Sequence, residues 1–85
     1  MNDYFVYIIK GRTGDYYVGV TQDIEERIKR HNTQRGSKYT KNKGPFTLVF
    51  SEVFPNLSLA LKREKQIKSL SRKKKDKLIC DFEKK

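Results

Sequence analysis

An α+β domain, a small three-stranded antiparallel sheet flanked by helices, follows from three observations in these 85 residues. Two runs rich in aromatic and β-branched residues are joined by a glycine-bounded turn. A third alternating apolar run comes after a segment that carries a helix-capping signature. Two more capped segments of helical period close the chain. The order is β-β-α-β-α-α, and helices that alternate with a small, mostly antiparallel sheet define the α+β class.

Tyr4–Lys10 reads as a strand, because aromatic and β-branched residues fit a pleated surface. Phe5, Tyr7 and Ile9 share one face, and Tyr4, Val6 and Ile8 share the other. A strand that is apolar on both faces is a central one. Gly11-Arg12-Thr13-Gly14-Asp15 carries turn chemistry, and Tyr16–Thr21 returns as the second strand of a hairpin. With the turn centred near Thr13 and no bulge, Tyr7 and Tyr17 fall on the same face and Gly19 lies opposite Tyr7. A glycine there removes a cross-strand side chain and leaves room above the phenol. Two tyrosines on one face are also what half-buried sheet aromatics look like.

Asp23 offers a helix N-cap, and Glu26 three residues on completes a capping box. This helix runs to about Asn32. Residues 33–45 are polar and basic, with Gly36, Gly44 and Pro45 as breakers. Residues 46–54 form the third strand, in which Phe46, Leu48 and Phe50 alternate with Thr47, Val49 and Ser51. Pro55-Asn56 ends it. Asn56 or Ser58 caps a second helix that reaches about Leu70. Ser71 caps a third, whose apolar side is Leu78, Ile79 and Phe82.

The length makes residues 1–85 one domain with a modest core. No apolar run is long enough to span a membrane and no signal-peptide pattern opens the chain, so the expected location is the cytoplasm. The single cysteine, Cys80, has no partner for an internal disulfide or a Cys-rich metal site, and is expected to be a small core-facing filler. Lysine and arginine number 20 against 10 acids, a net charge of +10. Such an excess attracts polyanions, so nucleic acid is the expected partner. A membrane surface is not, for want of a strongly amphipathic basic helix with exposed aromatics. Walker loops, zinc-ligand clusters, nucleophile elbows and dinucleotide fingerprints are all missing, which narrows the enzyme classes available.

Three groups of residues invite chemistry. On the first helix, Ile24 and Ile28 define the inward stripe, His31 falls within its arc, and Arg27 sits on its flank, four residues before His31. A guanidinium at the edge of a buried face needs an anion, either a carboxylate or a phosphate. An ordinary salt bridge and a satisfied histidine would also account for the pair. On the second helix, Leu57, Ala60, Leu61 and Ile67 are expected to point one way with Glu64 among them and Lys68 one turn on. A carboxylate there must be paired, hydrogen-bonded or metal-bound. Lys68 supplies one solution, and a Mg2+ (or Mn2+) ion held by one carboxylate and several waters supplies the other. The third group is Arg35, Lys38, Tyr39, Lys41 and Lys43, which with Lys68 form candidate phosphate contacts and one stacking surface. A solvated charged loop is the plainer account. The run Arg72-Lys73-Lys74-Lys75 reads as a solvated helix face.

Phe5-Val6-Tyr7 and Tyr17-Val18-Gly19, followed by Arg27, His31 and Glu64, resemble the GIY-YIG nuclease domain, in its small stand-alone bacterial branch. Lys38-Tyr39-Thr40 and Arg63-Glu64-Lys65-Gln66-Ile67-Lys68 add to the resemblance, which covers nearly the whole chain. Each short motif is weak alone; their order and spacing together are specific. The resemblance implies the same fold and the hydrolysis of phosphodiester bonds in DNA, or less readily RNA, with a place in DNA repair or recombination. By the same resemblance Tyr7 is the general base and Tyr17 helps hold the water and phosphate. Arg27 stabilises transition-state charge, His31 supports the base, and Glu64 is the sole protein ligand to a divalent metal, Mg2+ or Mn2+. A phenol near its free pKa of about 10 is a poor base at neutral pH, and Arg27, the metal and the positive field are expected to lower it. Phe5 replaces the glycine of the first motif, and Val20 stands where a lysine often follows the second. With no attached recognition domain, target choice is expected from a partner protein or from a nucleic-acid structure such as a branch or flap. The alternative is a non-catalytic nucleic-acid binder that keeps the fold, with Glu64 paired to Lys68 or Arg27.

Overall fold

A computed structural model describes residues 3–33 and 45–84. The elements run β1 (Tyr4–Lys10), β2 (Tyr16–Thr21), α1 (Ile24–Thr33), β3 (Thr47–Phe54), α2 (Leu57–Ser69) and α3 (Arg72–Glu83). The three strands form one antiparallel sheet in the order β2-β1-β3. The expected class and element order therefore hold, and β1 is the central strand, with Val6, Tyr7, Ile8 and Ile9 all buried.

The β1–β2 register runs unbroken from Lys10 and Tyr16 at the turn to Phe5 and Thr21. Gly14 takes φ 87°, a left-handed conformation that glycine adopts without strain, and its N–H donates to the Gly11 carbonyl at 3.0 Å. Lys10 thus faces Tyr16, Ile9 faces Tyr17, and Tyr7 faces Gly19. The two faces of β1 carry separate cores. Val6 and Ile8 pack with Phe50, Ala60, Ile67 and Ile79, so α2 and α3 cover that side. Tyr7 and Ile9 pack with Phe46, and Tyr17, Ile28 and Leu48 close over them, so α1 lies on the opposite side.

Strict alternation along residues 46–54 does not hold. Ile8 faces Phe50 while Ile9 faces Leu48, leaving Val49 as the extra residue of a β-bulge. Phe46 and Leu48 therefore serve the Tyr7 core, and Phe50 turns to the other one. Asp23 caps α1 by accepting from the Glu26 N–H at 3.1 Å, but the Glu26 carboxylate takes Arg30 at 3.0 Å. Asn56 caps α2 through the Leu59 N–H at 2.9 Å, and Ser71 caps α3 through the Lys74 N–H at 3.3 Å.

Two inward assignments are corrected. On α2 only Ala60 and Ile67, seven residues apart and so on one line of the helix, are buried; Leu57 and Leu61 are exposed. The buried stripe is narrow, and the two leucines stand about 60° and 100° round α2 from Ala60. Cys80 is exposed, because it sits about 100° round α3 from the buried Ile79. No described helix is long and apolar enough to cross a membrane.

Candidate active site

The β1–β2 register builds the centre. Tyr7 is 4% exposed and its ring lies across the face of Gly19. A Cβ at Gly19 would come within 2.5 Å of Tyr7 Oη and 2.7 Å of Cζ. Only the absence of a side chain on β2 lets the phenol lie there. From α1, His31 Nε2 approaches Tyr7 Oη at 3.5 Å, the outer limit of a hydrogen bond. The N–H to be shared depends on the imidazole tautomer.

His31 is held in turn by Phe46, whose ring centroid is 5.6 Å away, and Tyr17 meets the same Phe46 edge-on at 5.5 Å. Phe46 is itself fixed by Asn32 at the end of α1. The Phe46 N–H donates to Asn32 Oδ1 at 2.6 Å, and Asn32 Nδ2 donates to the Phe46 carbonyl at 3.3 Å. This clasp joins the end of α1 to the start of β3 and holds Phe46 beside the imidazole. Neither Asn32 nor Phe46 stood out as a site residue in the sequence. An asparagine just before a basic stretch and a phenylalanine after a proline are common loop features, and only the fold makes them partners.

Electrostatics tie Tyr7 to two further groups. Burial pushes the Tyr7 phenol above its ordinary value; the Arg27 guanidinium pulls it down and the Glu64 carboxylate pushes it up again, leaving it raised. The lowering expected from Arg27 is present, but it does not set the net direction. Arg27 acts in the expected direction, but removing the phenol from water outweighs it. His31 is lowered, by burial first and by Arg27 second, so the imidazole is neutral near pH 7.

Arg27 is half-buried on α1, beside a polar recess of about 60 Å3 lined by Thr21, Asp23, Glu26, Arg27 and Arg30. That recess has room for water rather than a nucleotide. Glu64 reaches from α2 with its side chain 19% exposed, and Lys68 Nζ lies 3.4 Å from its carboxylate. The i,i+4 pairing foreseen for Glu64 is thus present, and Lys68 is engaged rather than free. No group of three or more His, Cys, Asp or Glu side chains converges on a metal position among the described residues. A lone, partly exposed carboxylate fits a largely hydrated Mg2+ ion and does not fit zinc. Arg35, Lys38, Tyr39, Lys41 and Lys43 lie outside the described residues. Tyr7, Arg27, His31 and Glu64 form one electrostatic neighbourhood, and Tyr17 joins it through Phe46.

The family model of the GIY-YIG catalytic domain matches residues 3–77. The chain is 48% identical over 81 residues to a UPF0213 protein of Staphylococcus saprophyticus subsp. saprophyticus, covering 95% of this chain and 99% of the relative. Its fold is similar to the solution NMR structure of the UPF0213 protein from Bacillus halodurans, with TM-score 0.60, 41% identity, and coverage of 92% of this chain and 83% of that one. It is also similar to the solution NMR structure of a protein from E. faecalis, with TM-score 0.67, 30% identity, and coverage of 100% and 91%.

Proposed function

The chain belongs to the GIY-YIG catalytic-domain family, and on that premise we propose that it is a metal-assisted phosphodiesterase that nicks nucleic acid, DNA in preference to RNA. One observation carries this reading: a buried phenol laid over Gly19, with a neutral imidazole 3.5 Å from its oxygen and Arg27 and Glu64 close enough to act on its charge.

With its pKa raised, Tyr7 works as a relay rather than as a free phenolate. Its O–H donates to His31 Nε2 while its oxygen accepts the proton lost by the attacking water. The water oxygen forms the new bond to phosphorus as the bond to the leaving oxygen breaks, and solvent protonates the leaving oxygen. Arg27 faces the negative charge that builds on the phosphoryl oxygens, where fixed charge contributes most. Tyr17 positions the phosphate from the same sheet face. Glu64 is the residue that would hold Mg2+ or Mn2+, with Lys68 released to the phosphate backbone. When bound, the metal supplies polarisation of the phosphate. Target choice falls to the substrate's structure or to a partner protein.

The test is nicking of supercoiled plasmid and branched DNA across a Mg2+ titration. Tyr7→Phe, Arg27→Ala and Glu64→Ala should each slow nicking by about 10²-fold or more with the circular-dichroism spectrum unchanged. Variants that nick as fast as wild type, or a wild type that cleaves no substrate, would refute the reading.

The Lys68–Glu64 pair favours a second reading, because it satisfies the carboxylate without metal. The protein would then be a nucleic-acid binder. Its signature is tight binding with a steep salt dependence, no need for metal, and indifference to Tyr7→Phe.

A further inference from the structure

Arg63 and Glu64 are neighbours in the chain, yet the site described above uses only the second. On α2 the buried line is Ala60 and Ile67, and Arg63 and Glu64 straddle it, about 40–60° to either side. Glu64 stands on one flank, where its charge acts on Tyr7. Arg63 stands on the other flank and is bound there. Its Nε donates to Glu52 Oε1 at 2.8 Å, and its Nη1 donates to Gln66 Oε1, one turn on, at 3.3 Å. The guanidinium thus grips β3 and its own helix at once. The pairs Arg30–Glu26, Lys68–Glu64 and Arg72–Asp76, by contrast, each join residues four apart on one helix.

The bulge in β3 makes this bond available. Counted by twos from Phe46 and Leu48, Glu52 would share their face, the Tyr7 side. The extra residue at Val49 reverses that. Glu52 lies opposite Val6 in the ladder and shares the face of Phe50, on the side that α2 covers. Apolar packing alone sets the rotation of α2 weakly. Ala60 offers one methyl group, Ile67 is a single side chain, and Leu57 and Leu61 are exposed. Turning a helix by about 30° moves a side-chain end by about 3 Å at its outer radius of about 5–6 Å. A functional carboxylate has to be held within about 0.5 Å.

We infer that Glu52 and Arg63 are positioning residues, whose ion pair fixes the rotation of α2 and so aims Glu64 at the site beside Tyr7. Neither touches the reacting atoms; both act through Glu64. The inference rests on the reading of Glu64 as the residue that holds the divalent metal.

The experiment measures Mn2+ binding to the full chain, without nucleic acid, by electron paramagnetic resonance of the free ion. Two single substitutions break the ion pair and change the charge in opposite directions. Glu52→Ala removes a negative charge and Arg63→Met removes a positive one. A purely electrostatic effect on a cation weakens binding in the first and tightens it in the second. Positioning weakens it in both, by about tenfold or more. Glu52→Gln loses the charge but keeps an oxygen for Arg63 Nε, and should bind as wild type does. Arg63→Lys keeps the charge and loses the planar fork, and should weaken binding too, so a fold lost in Glu52→Ala or Arg63→Met still leaves a deciding variant. Circular dichroism checks each fold. Folded pair-breaking variants that bind Mn2+ like wild type, opposite responses of Glu52→Ala and Arg63→Met, or Glu52→Gln as weak as Glu52→Ala overturn the inference. Glu64→Ala separates the two levels. If it abolishes binding while the pair-breaking variants keep it, the positioning inference fails alone. If it binds as wild type does, or if wild type binds no Mn2+, the metal reading of Glu64 falls and takes the inference with it.

Discussion

At the scale of single residues, the site depends on one missing side chain. Gly19 does not need unusual backbone; it needs to be bare where the Tyr7 ring crosses it. Gly19→Ala sets a methyl against a buried, rigid ring. It should destabilise the fold by about 1–3 kcal/mol, as overpacking does, and displace the phenol from His31. Urea denaturation and the Tyr7 ring resonances measure the two effects. His31 gives a pH signature. Its folded pKa lies below the ordinary value near 6.5, so between the two values the unfolded chain binds more protons. Stability therefore rises with pH across that window and is lost on acidification below about 6.5. Thermal melts between pH 7.5 and 5 should show a steeper loss for wild type than for His31→Gln. Equal slopes would mean that the histidine does not titrate differently on folding.

At the scale of elements, the hairpin was legible in place and register, and the third strand in place but not in register. A period of two carried through a turn centred on Thr13 is enough to set Tyr7 opposite Gly19 and on the face of Tyr17. Val49 gives no sign of the bulge, because valine is an ordinary strand residue and the slip is decided by which core Phe50 fills. The Glu64–Lys68 pairing was legible as an i,i+4 spacing. The direction of the Tyr7 pKa was misread because neighbouring charges can be placed on a helix from the sequence, whereas the depth of burial depends on α1 and Phe46 closing over the ring. The Asn32 clasp belongs to this scale, since it joins the end of α1 to the start of β3. Asn32→Ala removes both of its hydrogen bonds. It should cost about 1–3 kcal/mol and loosen Phe46 against His31, with broadening of the His31 and Tyr17 side-chain signals. A variant as stable as wild type with unchanged signals would show that packing alone orients the imidazole.

At the scale of the molecule, charge governs the encounter with substrate. A protein with net charge +10 should bind duplex DNA with an affinity that falls steeply with salt, by about 10³-fold or more between 50 and 200 mM if six or more phosphates are contacted. A salt-independent isotherm would exclude phosphate contacts as the main attraction. The clasp at the base of residues 34–44 has a wider consequence. Asn32 and the backbone of Phe46, 14 residues apart, are joined by two hydrogen bonds that fix both points of the chain. Each doubling of such a connection adds only about 0.6 kcal/mol of closure entropy, and neither anchor has to move. A change of chain length between the two anchors is therefore expected to leave the phenol, imidazole and guanidinium in register.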